Sequence, residues 1–236
     1  MSLENRQFIV SRQFGPYICK SQISDELHKI LLNTANKIRK NKKTRKTNDY
    51  RKRLAGNLSE EYSYENQFSP KAEEIVDKEL CWLASMYTKF SKQAINMDLS
   101  VEPEDIVMQK PVWVNFMKQG EWNPAHAHTG DISCVMYLQV PLEIQLENHK
   151  SKSSMNSNTP SAGKIEFTYG DSIGYSNTGV MMNPKVKDIF LFPAKLKHMV
   201  YPFKSKTERI SVSVNFADKK VAMRNLQARG ERENWL

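Results

Sequence analysis

The chain has 236 residues, 39% of them hydrophobic and 26% charged, which is an ordinary globular balance with enough length for a real core. No apolar run approaches the ~20 residues that span a bilayer, and the opening MSLENRQFIVSRQFG lacks the charged-then-apolar plan of a signal peptide. A membrane protein, a collagen-like chain and a largely disordered chain are therefore excluded. Three cysteines (Cys19, Cys81, Cys134) without CxxC spacing point to a reducing, cytoplasmic setting and no disulfide framework.

The net charge of +9 is local. Ten Lys or Arg residues and a single acid, Asp49, lie between Lys37 and Arg53, and the remainder of the chain is formally neutral. Such a run can hold nucleic-acid phosphates or an acidic partner, or it can be a solvated helix end. Its one aromatic, Tyr50, offers little for base stacking.

In chain order, residues 7–19 read as one or two short strands broken at Gly15-Pro16. Ser24-Asp25-Glu26 opens a helix, followed by Leu27, Ile30, Leu31, Ala35 and Ile38 at helical spacing. That helix runs out into the basic segment, and residues 54–68 read as polar loop. Ser69-Pro70 opens a second helix with an apolar stripe from Ile75 to Phe90. From about residue 105 the period changes to short β-rich runs: IVMQ, VWVNFM, ISCVMYLQV, KIEFTYG, DIFLFP, HMVYPF and RISVSVNF. Strands spaced this way predict an antiparallel barrel or sandwich. Residues 143–162 read as a surface loop, and the polar tail, residues 218–236, as a short helix at most. The plan is α+β, mainly β, in one domain: residues 1–100 carry strands and two supporting helices, and residues 101–217 carry the β core.

Two of the five histidines fall in WNPAHAHTGD, as His126 and His128, and a third, His198, follows DIFLFP. On a strand, residues i and i+2 share a face and start about 6–7 Å apart, close enough for two imidazoles to converge on one ion. A third ligand from a distant strand leaves the opposite side of the ion open, the layout of a catalytic rather than a structural metal. Arg209 opens the strand after His198. A turn centred between Phe203 and Lys204 pairs the two directly, setting a guanidinium beside a metal ligand. Arg209 can clamp a carboxylate through two parallel hydrogen bonds, and Ser211 faces the same way with a hydroxyl. A metal with open positions plus a carboxylate clamp suits a chelating dicarboxylate.

The ordered set VWVNFMKQGEWNPAHAHTGDISCVMYLQVP, GKIEFTYG, DIFLFPAKLKHMVYPF and ERISVSVNF spans roughly residues 106–216. It resembles the 2-oxoglutarate/Fe(II) oxygenases, especially versions carried by marine phages, for which the compartment is the host cytoplasm. The resemblance implies a double-stranded β-helix (jelly-roll, cupin-like) core, Fe(II) in a His-x-acid…His triad, and 2-oxoglutarate chelating the iron. It also implies that an Arg about ten residues after the last His pairs with the cosubstrate's far carboxylate. His126, His198 and Arg209 map onto that pattern, and Ser211 completes Arg-x-Ser. The chain departs from it at the acid position, which is His128, while an acid occurs at Asp131. Three ligand sets stay open: His126, His128 and His198; one of the first two with Asp131 and His198; or two histidines and water. The resemblance also offers Asn115 for the cosubstrate's metal-side carboxylate and Tyr137 beside Arg209.

The implied activity is a dioxygenase that couples oxidative decarboxylation of 2-oxoglutarate, with O2, to hydroxylation of a small molecule or a protein side chain such as proline. The alternatives are a non-enzymatic jelly roll and a cupin-like metalloenzyme that does not use 2-oxoglutarate. A homodimer is kept in view. Nucleobase oxidation is less favoured, because RISVSVNF lacks the final Arg of the AlkB-type demethylases.

Overall fold

The computed structural model describes residues 7–12, 15–93, 101–151, 157–171 and 177–219. Ser24 caps α1 (Asp25–Lys40): its hydroxyl oxygen accepts the Leu27 N–H, and Asp25 and Glu26 sit in the first turn, where acids oppose the positive helix end. Leu27, Leu31, Ala35 and Ile38 form its buried stripe, as their spacing predicts. The basic segment continues as α2 (Lys42–Thr47) and a single turn of 3-10 helix over Arg51–Arg53. Not all of its cations are free. Arg39 grips Glu60 and Glu208 at 2.9 and 2.7 Å, and Arg51 grips Asp49 at 2.6 Å. The second long helix, α3 (Pro70–Gln93), buries Val76, Leu80, Leu83 and Tyr87.

Eleven strands are described: β1 (Ile9–Arg12), β2 (Tyr17–Gln22), β3 (Glu60–Ser63), β4 (Ile106–Lys118), β5 (Asn123–His126), β6 (Ile132–Gln139), β7 (Ile165–Thr168), β8 (Gly179–Met182), β9 (Asp188–Pro193), β10 (Lys197–Val200) and β11 (Glu208–Asp218). They form a seven-stranded sheet, β1-β2-β9-β6-β11-β4-β3, and a four-stranded sheet, β5-β10-β7-β8, antiparallel throughout. This is the double-stranded β-helix, with the expected helices on one face of the larger sheet. That sheet is covered on both faces, so its central strands β6 and β9 read as nearly continuous apolar runs. On β11, Ile210, Val212, Val214 and Phe216 join the core under α1 and α3. The alternate residues Arg209, Ser211 and Ser213 line the space between the sheets. On β4 the same alternation turns Val112, Val114 and Phe116 to the helices and Trp113 and Asn115 inward.

Four expectations need correction. IVMQ and VWVNFM are one strand, β4, continuous through Pro111. Residues 54–68 contain β3, which pairs along β4 from Glu60↔Phe116 to Ser63↔Trp113 and so extends the large sheet. The predicted loop 143–162 begins as α4 (Leu142–Lys150), anchored by buried Ile144 and Asn148. His198 and Arg209 do not pair: β10 belongs to the small sheet and β11 to the large one. The hairpin reading assumed that consecutive strands are neighbours, whereas a jelly roll sends them to opposite sheets. Of the predicted tail, residues 220–236 lie outside the described residues.

Candidate active site

His126 ends β5, and His198 lies directly opposite it on β10. His128 stands just past the strand end, where its N–H donates to the Ala194 carbonyl at 2.7 Å. Gly130 follows with φ of +87°, and a side chain there would meet the Phe216 carbonyl at 2.8 Å, so the turn that sets His128 requires glycine. The three rings converge, with centroids 4.3–5.0 Å apart, and one nitrogen from each lies within 4.8 Å of the other two.

Local backbone fixes the orientation of two of these rings. Nδ1 of His126 lies 2.7 Å from the Pro124 carbonyl, and Nδ1 of His198 lies 3.0 Å from the Leu196 carbonyl. A carbonyl only accepts, so each Nδ1 carries the proton and each Nε2 presents a lone pair. Nε2 of His128 and Nε2 of His198 are 3.2 Å apart, close enough for two bonds of about 2.1 Å to meet at one ion. Burial, reinforced by the neighbouring imidazoles, pushes His198 down to about 3 and His128 down to about 4, and burial lowers His126 as well. All three are thus neutral at pH 7, the form that binds a cation. The donor set fits a divalent transition metal with positions left for other ligands.

Arg209 enters the same cavity, of about 190 Å³, from the large sheet. It is 2% exposed. Nη1 donates to the Gly163 carbonyl at 2.9 Å, Nη2 contacts the Met117 sulfur at 3.0 Å, and Nε has no partner. The guanidinium lies 5.5 Å from the centre of the Tyr137 ring, and the Tyr137 hydroxyl is likewise unpartnered. Among the described residues no carboxylate forms an ion pair with it, although a buried guanidinium without a counterion costs several kcal/mol. Ser211 pairs across the sheet with both Asn115 and Tyr137, so these side chains share one row beside Arg209. His126, His128, His198, Arg209, Ser211, Asn115 and Tyr137 therefore all line one cavity.

Asp131 is elsewhere. It is exposed, its carboxylate accepts the Asp218 N–H at 2.9 Å, and it is not part of the histidine cluster. Asn215 is not among the residues that line the cavity, and its side chain accepts the Ser133 hydroxyl at 2.9 Å. Trp113 lines the cavity with its ring 5.7 Å from that of His128, whereas Trp122 is exposed. His28 contacts the Leu138 carbonyl at 2.9 Å and ties α1 to β6. Burial pushes the Cys134 thiol up to about 12, which leaves it an unreactive packing residue.

A buried acid of the cavity lies outside the sequence motifs. Glu61 on β3 is 1% exposed, lines the cavity, and has no partner for either carboxylate oxygen. The available signal was alternation: Tyr62 and Tyr64 pack toward the helices, and Glu61 and Ser63 face the other way. Burial raises the Glu61 carboxyl from 4.5 to about 7, with Glu121 adding to the effect and Arg51 opposing it. Between those values the folded state holds the proton more tightly than the unfolded state. Stability should therefore fall as pH rises from 4.5 through 7, and the full penalty should stand above 7. Glu61→Gln is expected to be more stable than wild type above pH 7, by up to about 3 kcal/mol, and to match it below pH 4.5. Urea denaturation across that range checks this; a variant less stable at high pH would refute it.

Residues 111–215 match the family described as "Putative 2OG-Fe(II) oxygenase". No curated protein matches the chain. Among solved structures the chain is similar to AviO1 from Streptomyces viridochromogenes Tue57, at 12% identity and a TM-score of 0.53, covering 85% of this chain and 89% of that one. It is also similar to the non-heme alpha-ketoglutarate-dependent carbocyclase SnoK from nogalamycin biosynthesis, at 10% identity and a TM-score of 0.52, covering 88% and 81%. The epimerase SnoN of the same biosynthesis gives 9% identity and a TM-score of 0.52, covering 85% and 76%. At these identities the structural likeness speaks for the fold.

Proposed function

We propose that, in this member of the 2OG-Fe(II) oxygenase superfamily, His126, His128 and His198 hold the iron and Arg209 clamps the far carboxylate of 2-oxoglutarate. The chain is a dioxygenase that uses Fe(II), 2-oxoglutarate and O2. The observation that carries the residue assignment is Arg209, a buried cation with no carboxylate partner among the described residues, opening onto the same cavity as three neutral imidazoles. Bound Fe(II) supplies the oxidising chemistry, in which 2-oxoglutarate loses CO2 to become succinate and the substrate gains oxygen.

The chain's own residues do the positioning. The free Nε of Arg209 and the Tyr137 hydroxyl donate to the far carboxylate, and Ser211 adds a third donor from the same row. Asn115, next in that row, meets the near end of the cosubstrate. The Pro124 and Leu196 carbonyls keep the His126 and His198 protons on Nδ1 and hold both rings in place. Phe167 and Phe192 pack against His198 at 5.8 and 4.7 Å and keep water from that side. The primary substrate, a small molecule or a protein side chain, enters past residues 53–56, which line the cavity beside β5. A purely structural jelly roll has no use for an uncompensated guanidinium facing three imidazoles.

The test is anaerobic addition of Fe(II) and 2-oxoglutarate to the purified protein. A weak visible charge-transfer band is expected. No band and no iron-dependent binding of 2-oxoglutarate would overturn the assignment.

A further inference from the structure

The cavity has a second polar end, which the cosubstrate does not reach. Glu61 pairs across the sheet with Asn115, Asn115 with Ser211, and Ser211 with Tyr137, so four neighbouring strands place these residues abreast. At ~4.8 Å per strand, Glu61 stands about 10 Å from the strand of Arg209 and about 14 Å from Tyr137. A dicarboxylate held between Arg209 and the histidines leaves the β3 end to another molecule.

That end is built of acceptors. Both Glu61 oxygens and Asn123 Oδ1 are buried, line this cavity and have no partner. Two of them converge. A Cβ placed on Gly56 would lie 2.6 Å from Glu61 Oε1 and 2.9 Å from Asn123 Oδ1, so both oxygens close on one backbone position that has room only for glycine. Arg53, Leu54 and Ala55 line the cavity next to Gly56, with Arg53 and Ala55 exposed, which makes this side the mouth. A carboxylate buried without donors is costly in the empty protein, as its carboxyl, raised to about 7, reflects. Asp49 and Glu121 add negative charge around it, and Arg51 offsets part of that.

We propose that Glu61, with Asn123, is the recognition site for an alkylammonium group on the primary substrate. An ammonium brings three donors and a positive charge to a cluster that holds acceptors and a negative one. A hydroxyl brings only one donor and no charge. This rests on the dioxygenase reading above and names the substrate class for it: an amine carried by a lysine side chain or by a free polyamine.

The test uses the full chain without iron or 2-oxoglutarate. Three probes are titrated by ligand-observed NMR: Nα-acetyl-lysine amide, putrescine, and Nα-acetyl-norleucine amide as the uncharged control. At least one amine should bind and the norleucine compound should not. Glu61→Gln should weaken the bound amine about tenfold or more. Gly56→Ala, whose methyl would displace both oxygens while leaving the carboxylate's charge, should weaken it as well. Preference for the acetyl-lysine amide or for putrescine identifies the source of the amine. Binding of neither amine, or equal affinity in wild type and Glu61→Gln, overturns the proposal. A wild-type Fe(II)–2-oxoglutarate band alongside that result removes the amine site alone; loss of the band removes the dioxygenase assignment whatever the amines do.

Discussion

Replacing His198 by Ala is expected to lower iron-dependent succinate formation by about 10³-fold or more, roughly 4 kcal/mol of transition-state stabilisation. His198 is the best-held of the three histidines. It is 5% exposed, lies opposite His126 on the neighbouring strand, and brings its Nε2 to 3.2 Å from that of His128. Its removal leaves the two remaining rings on a chain turn and a strand end, with no ligand from β10. The loss should persist at saturating Fe(II), and the charge-transfer band should vanish with it. Near-normal turnover in His198→Ala would exclude it as a ligand. The neighbouring position separates the candidate ligand sets. His128→Asp restores the His-x-acid pattern in place and should keep the band, whereas Asp131→Asn should leave it unchanged, because that carboxylate serves the Asp218 N–H. A band lost in Asp131→Asn, in a protein that still folds, would make Asp131 the ligand.

The parts of the molecule legible in the sequence are those written in local periodicity. α1 and α3 follow from capping residues and stripes at helical spacing, and Arg209, Ser211 and Ser213 alternate with Ile210, Val212 and Val214 as a strand buried on both faces requires. His126, His128 and His198 are conspicuous because histidine is rare in this chain. What local pattern does not encode is which strands become neighbours. His198 and Arg209 were expected side by side on one hairpin; they meet instead from opposite sheets, and it is this arrangement that encloses a cavity between them. β3 was hidden for a different reason. A strand carrying two glutamates has little hydrophobic signal, and it holds its place through pairing with β4 and through the Glu60 contacts to Arg39 and Lys118. α4 likewise buries only Ile144 and Asn148, too little apolar surface for a recognisable stripe.

Arg209→Met is expected to weaken 2-oxoglutarate binding by about 10²–10³-fold while leaving the metal-free protein as stable as wild type or more so. The two effects have one origin. In the free protein the guanidinium is buried beside Tyr137 and Met117 with no anion among the described residues, and burial pulls its pKa down from the ordinary value, the mark of a charge in an unfavourable place. Methionine fills similar volume without that cost, and substituting apolar side chains for buried charges is often neutral or stabilising. In the complex the balance reverses. The cosubstrate's carboxylate is then left in the same dry pocket with only the Tyr137 and Ser211 hydroxyls, and losing one partner of a buried charge pair costs about 2–5 kcal/mol. Arg209→Lys keeps the charge but not the planar fork, so it should fall between wild type and Arg209→Met. Calorimetric titration of 2-oxoglutarate into the Fe(II) protein under argon measures the first effect, and urea denaturation of the metal-free protein measures the second. A destabilised Arg209→Met that binds 2-oxoglutarate normally would make the guanidinium a structural tie between Gly163 and Met117, and the clamp would have to be sought elsewhere in the cavity.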